Sequence, residues 1–170
     1  MSNRNYPFRK YVWLFYLALF GLFHARDLQS QTLFTIAGDV AKPLSISAAD
    51  LAAMPRETAV FEHDGKTATY EGVLLYDLLV KAGVPFGKAM TGKHMASYLL
   101  LTARDGYQVV FALPELDPKF EGKKILLADK QNGGPLPEKE QPLRVIAPQD
   151  KMRARSIYAV VRAEVVQLRK

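Results

Sequence analysis

The sequence predicts an α+β fold, on three observations. Strand-like segments outnumber helical ones, the two do not alternate regularly, and the chain has neither repeats nor low-complexity tracts. Its 170 residues suffice for one domain with a real core. Hydrophobic residues at 49% and charged residues at 24% are near globular averages. There is no cysteine, which excludes disulfides, thiolate metal sites and a cysteine nucleophile.

The first thirty residues read as a signal peptide. Arg4, Arg9 and Lys10 precede an uncharged run from Tyr11 to Phe23. Thirteen helical residues reach about 20 Å, short of the roughly 30 Å hydrocarbon core. A short apolar run behind basic residues and before a polar stretch is the pattern of a cleaved export signal, here with cleavage after Ser30. The alternative is an uncleaved N-terminal anchor. The expected domains are thus a signal peptide over 1–30 and one folded domain over 31–170, periplasmic or secreted, with no stable membrane anchor after cleavage.

Removing the leader changes the charge. The whole chain is +6, but residues 31–170 carry nineteen basic and sixteen acidic residues, a net +3. The only Trp, Trp13, leaves with the leader. With neither strong charge nor a basic-aromatic motif, no nucleic-acid partner is expected.

The elements follow in order. Leu33 to Ala37 alternates as a strand and enters a turn at Gly38-Asp39. Ser47 with Asp50 three residues on makes a capping box, opening a short helix that ends at Met54-Pro55. Thr58 to His63 and Lys66 to Tyr70 flank Asp64-Gly65 as a hairpin. Leu74, Leu75, Leu78, Leu79 and Ala82 have helical spacing, closed by Gly83. Tyr98 to Ala103 and Tyr107 to Ala112 flank Asp105-Gly106, a second hairpin, and a helical turn follows at Pro114 to Asp117. Ile125 to Ala128 and Leu143 to Ile146 read as strands separated by a Gly/Pro loop from Asn132 to Pro137. Ile157 to Val166 closes the domain as a strand.

Few residues point to catalysis. His63 and His94 are the only histidines after the leader, and they lie too far apart for a local metal motif. Ser45, Ser47, Ser97 and Ser156 lack the Gly-x-Ser-x-Gly setting of a nucleophile elbow. Charge, however, is unevenly placed. Residues 138–170 hold eight basic and four acidic residues, whereas 31–137 hold eleven and twelve. A strand bearing Arg144 runs into a loop bearing Lys151, Arg153 and Arg155. Guanidinium groups with loop amides suit a phosphate or other oxyanion, and a solvated basic loop is the alternative.

Read together, these segments resemble a known family. Ile36-Ala-Gly-Asp-Val40, Leu51 to Pro55, Tyr70-Glu-Gly-Val-Leu-Leu-Tyr-Asp-Leu-Leu79, Ala103-Arg-Asp-Gly-Tyr107, Leu126-Leu-Ala-Asp129 with Asn132-Gly133, and Pro142-Leu-Arg-Val145 with Arg155-Ser-Ile157 occur in family order. The chain is similar to the molybdopterin-binding domain of the sulfite oxidase superfamily, in its short, exported, single-domain form. The resemblance implies a mixed α+β arrangement around a pterin pocket, with the final arginine-rich segment holding the pterin or its phosphate. Catalytic members ligate molybdenum through a cysteine in the interval that here runs from Val60 to Tyr70, and this chain has none. Glu62 and His63 stand in that interval, but neither is a soft thiolate donor. An aromatic residue often follows the last arginine in the short cysteine-less relatives, where this chain has Ser156.

Two functions are therefore expected as alternatives. The first is a non-catalytic exported module that binds a pterin, molybdopterin or other small anionic ligand and passes that state to a membrane signalling or redox partner protein. On this reading Arg144, Lys151, Arg153 and Arg155 hold the ligand's polar edge, and Tyr70 or Tyr107 stacks on its ring. The second is a molybdopterin-dependent oxidoreductase, or a subunit of one, working without a cysteine ligand. The resemblance supplies no catalytic residue and no protein metal ligand.

Overall fold

Apolar alternation builds the first strand: Phe34 and Ile36 point inward, and Gly38 ends the run at a φ of +89°. The structure is a computed structural model and describes residues 31–168 except Asp64. The expected signal segment and Asp64 of the first Asp-Gly turn lie outside the described residues. Among the described residues no helix is long and apolar enough to cross a membrane.

Among the described residues, ten strands and three short α-helices follow in the order β1 Thr32–Gly38, β2 Leu44–Ser47, α1 Ala48–Ala52, β3 Glu57–His63, β4 Lys66–Leu74, α2 Leu75–Lys81, β5 Ser97–Ala103, β6 Gln108–Ala112, α3 Leu113–Leu116, β7 Leu126–Gln131, β8 Gly134–Pro135, β9 Arg144–Ile146 and β10 Val160–Gln167. One sheet has the order β2-β1-β10-β5-β6, with β1 and β10 parallel and the other neighbours antiparallel. The second runs β3-β4-β7-β8, all antiparallel, and β9 also pairs with β7. This is the α+β class, with strands predominating and helices confined to short connections.

The second sheet is buried on both faces around its middle. Val73, Leu127 and Val145 join α2 and the first sheet in the main core. Their neighbours Leu126, Ala128 and Ile146 turn the other way, forming a smaller cluster with Phe61, Tyr70 and Leu136. Arg144 shares that second face, because it alternates with Val145 along β9.

Four departures from the sequence reading have a clear structural cause. Leu44 to Ser47 is a strand, its Leu44 and Ile46 facing inward beside β1; two apolar positions were too short a signal. β4 continues past Tyr70 to Leu74, since β7 covers it. The Asn132–Pro137 loop contains a hairpin turn: Asn132 and Gly133 adopt φ of +50° and +78°, joining β7 to β8. β10 begins at Val160 rather than Ile157, because Val145 N donates to Ile157 O and the chain passes Ala159 at φ +47° before it enters the sheet.

The capping box at Ser47 is formed as expected, with Ser47 Oγ accepting from Asp50 N and Asp50 Oδ2 accepting from Ser47 N. Gly72 matters for a different reason. A Cβ there would stand 2.1 Å from Leu127 O on the adjacent strand, a backbone atom that cannot move aside. Gly72→Ala is expected to cost at least about 1–3 kcal/mol in denaturant unfolding by forcing β4 from β7. An unchanged midpoint would show that the two strands separate freely.

Candidate functional site

The β5–β6 turn and the segment after β9 meet at one end of the first sheet. Gly106, at φ +87°, lets the Asp105-Gly106 turn close tightly. Asp105 Oδ1 then accepts from Tyr107 N at 2.9 Å, which fixes the turn. Facing it, residues 153–158 fold back along β9: Ser156 Oγ accepts from Ala147 N at 2.9 Å, and Tyr107 OH donates to Ala154 O at 3.3 Å. Between them lies a cavity of about 400 Å³, whose lining includes Asp105, Tyr107, Arg144, Arg153, Ser156 and Tyr158.

Arg144 is the chemically unusual member. It is 1% exposed and is among the largest fully buried side chains of the described residues. Its Nη1 donates to Glu140 Oε2 at 2.9 Å and also to the Tyr70 hydroxyl, which accepts a second bond from Gln131 Nε2 at 2.8 Å. Three rings surround the guanidinium: Tyr158 at 4.5 Å, Tyr70 at 4.7 Å and Phe61 at 5.4 Å. Burial pushes the Tyr70 hydroxyl pKa up, partly opposed by the charge of Arg144. Arg144 Nε, in contrast, has no hydrogen-bond partner. A buried charged donor without an acceptor is costly, and it sits in a side chain that lines a cavity.

The other expected site residues separate. Arg153 and Tyr107 line the cavity with Arg144. Lys151 is exposed and does not line it. Tyr70 lies behind Arg144, in edge contact with Phe61, so it orients the guanidinium rather than stacking on a ligand. Arg155 is engaged within the protein. Its Nε and Nη2 clamp Asp150 at 2.7 Å each, its Nη1 donates to Glu115 Oε1 at 3.0 Å, and the group stands 4.3 Å above the Phe111 ring. It therefore secures the 150–156 segment to β6 and α3 instead of reaching the cavity.

Sequence reasoning did not single out Glu140, Phe61 or Tyr158. Glu140 has a local signal, since it lies four residues before Arg144. Tyr158 stands two residues beyond Ser156 and supplies an aromatic wall of the cavity beside Arg144. Phe61 lies in the Val60–Tyr70 interval, which is the β3–β4 hairpin; Phe61 and Tyr70 face Arg144 from it.

The donor set separates the two halves of a molybdopterin. An unpartnered guanidinium nitrogen, a half-exposed Tyr107 and the Tyr158 ring suit the heterocycle. The metal does not fit the same residues: the chain has no thiolate, Glu62 is exposed and away from the cavity, and Asp105 is the only carboxylate in the lining. Among the described residues no group of three His, Cys, Asp or Glu side chains is placed to hold a metal ion.

Glu115 anchors the cavity wall indirectly and titrates accordingly. Burial pushes its carboxyl up, but hydrogen bonds from Lys123 and Arg155 outweigh this and hold it below the ordinary glutamate value of 4.5. A depressed folded value means that the unfolded chain binds the proton more readily, so the contribution is complete above about pH 4.5 and is lost on acidification. Glu115→Gln is expected to lose less stability than the wild type between neutral pH and about pH 3.5 in urea titrations. Equal losses would remove Glu115 from the acid response.

Comparison with known proteins bears on the fold as a whole. The model of the oxidoreductase molybdopterin binding domain matches residues 24–168. Among solved structures, the sulfane dehydrogenase SoxCD from Paracoccus pantotrophus is similar at a TM-score of 0.63 and 22% identity, over 81% of this chain and 38% of that one. The likeness is one of fold, and the chain spans about two-fifths of that neighbour's length. No curated protein matches the chain.

Proposed function

The chain belongs to the oxidoreductase molybdopterin-binding-domain family, and from that membership we propose that it is an exported, non-catalytic module that binds a pterin-class ligand and presents the bound state to a partner protein. The observation that carries this reading is Arg144: a buried guanidinium in the cavity lining, held in place by Glu140 and Tyr70, with one nitrogen left for an acceptor. A ring carbonyl or ring nitrogen of a pterin offers that acceptor. Tyr107 and Tyr158 give the cavity aromatic surfaces for the ring, and Arg153 stands in its wall. The family's chemistry centres on a thiolate-held molybdenum. A chain without any cysteine keeps the pocket but lacks that ligand, which favours binding over catalysis. Export follows from the basic, then apolar, then polar pattern of residues 1–30. The partner is a membrane signalling or redox protein.

The test is to purify the mature protein from the exported fraction of its native host, measure molybdenum, and extract fluorescent pterin. Loss of Trp13 with the leader keeps protein emission low. Pterin without stoichiometric metal is the expected result. Stoichiometric molybdenum would instead establish the oxidoreductase alternative, and absence of both would remove the pterin reading. In titrations with added pterin, Arg144→Ala should bind far more weakly than the surface control Lys88→Ala.

A further inference from the structure

Only three charged side chains are buried among the described residues: Asp117, Glu140 and Arg144. Two of them form one pair beneath the cavity. Arg144 lines it and Glu140 does not, yet they are joined at 2.9 Å with side chains 2% and 5% exposed. The arrangement decides what kind of group can settle against Arg144. Without Glu140, the guanidinium would be an unbalanced buried cation and would draw an anion into the cavity. With Glu140 present the pair is neutral. An incoming anion meets the attraction of Arg144 and the repulsion of a carboxylate one guanidinium away, both weakly screened because both are buried.

A neutral acceptor meets no such opposition. It supplies the hydrogen bond that Nε lacks and brings no third charge into the buried pair. The rest of the lining does not restore a preference for anions. Asp105 adds a carboxylate, while Arg153 is solvent-exposed, so its attraction is reduced by water and salt. Lys151 does not reach the lining, and Arg155 is paired with Asp150 and Glu115. The basic segment that looks made for a phosphate is, at the cavity floor, already neutralised.

We propose that Glu140 sets the ligand specificity of this site: by cancelling the charge of Arg144 it selects an uncharged, acceptor-bearing heterocycle and excludes phosphorylated or carboxylated forms of the same ring. The proposal rests on the reading of this cavity as the pterin site. Glu140 is a positioning residue, acting through Arg144 rather than by touching the ligand.

The experiment is a fluorescence titration of the mature protein with three probes: 6-hydroxymethylpterin, its phosphate ester and pterin-6-carboxylate. The uncharged probe is expected to bind at least about tenfold more tightly than either anion. Glu140→Gln keeps a hydrogen-bonding side chain beside Arg144 but removes the charge, and should shift the ratio toward the anions by about tenfold. Asp105→Asn, at the exposed turn, should shift it less. Should Glu140→Gln fail to fold, the wild-type ranking still decides. Anions binding as tightly as the neutral probe, or an unchanged ratio in a folded Glu140→Gln, would overturn the specificity role and leave the cavity reading intact. Failure of all three probes to bind would overturn the cavity reading, and the specificity role with it.

Discussion

Replacing Arg144 with alanine is expected to lower folding stability by about 3–5 kcal/mol, because it leaves Glu140 as an uncompensated buried charge. The loss has further parts: Tyr70 OH gives up one of its two donors, and the space among Phe61, Tyr70 and Tyr158 is emptied. A contrasting variant isolates the cause. Arg162 pairs with Glu164 at 2.7 Å but its side chain is 52% exposed, so Arg162→Ala should cost only about 0–1 kcal/mol. Removing both buried charges, as Arg144→Met with Glu140→Leu, should recover much of the loss, since the cost of desolvating the pair disappears together with its attraction. Urea midpoints of the three variants check this. If Arg144→Ala is no worse than Arg162→Ala, the buried pair does not hold the second sheet together.

The same pair shows where sequence reasoning reaches and where it stops. Elements marked by turn chemistry or periodicity were legible: the capping box at Ser47, the Asp105-Gly106 hairpin, and the helix closed by Gly83 all stand where local signals place them. The α+β class followed from their order. What local signals could not resolve was partnership across the chain. Arg144, Arg153 and Arg155 look alike in the sequence, yet one is buried against a glutamate and three rings, one stands in a cavity wall, and one is clamped by two carboxylates. Tyr70 was expected at a ligand's ring and stands against the Arg144 guanidinium, a partnership that a tyrosine's sequence pattern does not reveal. β2 and the start of β10 were also obscured. β2 offers only two apolar positions beside β1, and β10 starts late because the chain first folds back along β9.

Phe111→Ala is the second variant with a large expected effect, about 3–5 kcal/mol, but it should separate stability from binding in a way that Arg144→Ala cannot. Phe111 is fully buried in β6, within the main cluster that unites both sheets and α2. Its ring also supports Arg155 from below at 4.3 Å. Removing it opens a cavity in the main core, yet Arg155 keeps Asp150 and Glu115, and these ion pairs hold the 150–156 segment against β6 and α3. Arg144 belongs to the other face of the second sheet, with Phe61 and Tyr70. Phe111→Ala should therefore unfold at much lower urea while binding pterin with nearly wild-type affinity well below its transition. Arg155→Ala should do the reverse, with a smaller stability loss and a weaker ligand affinity, because the wall carrying Arg153, Ser156 and Tyr158 is no longer fastened. Unfolding and titration of both variants, side by side, provide the check. If affinity follows stability in both, the cavity is not a separately held structure but a consequence of the main core, and Arg155 has no role in shaping it.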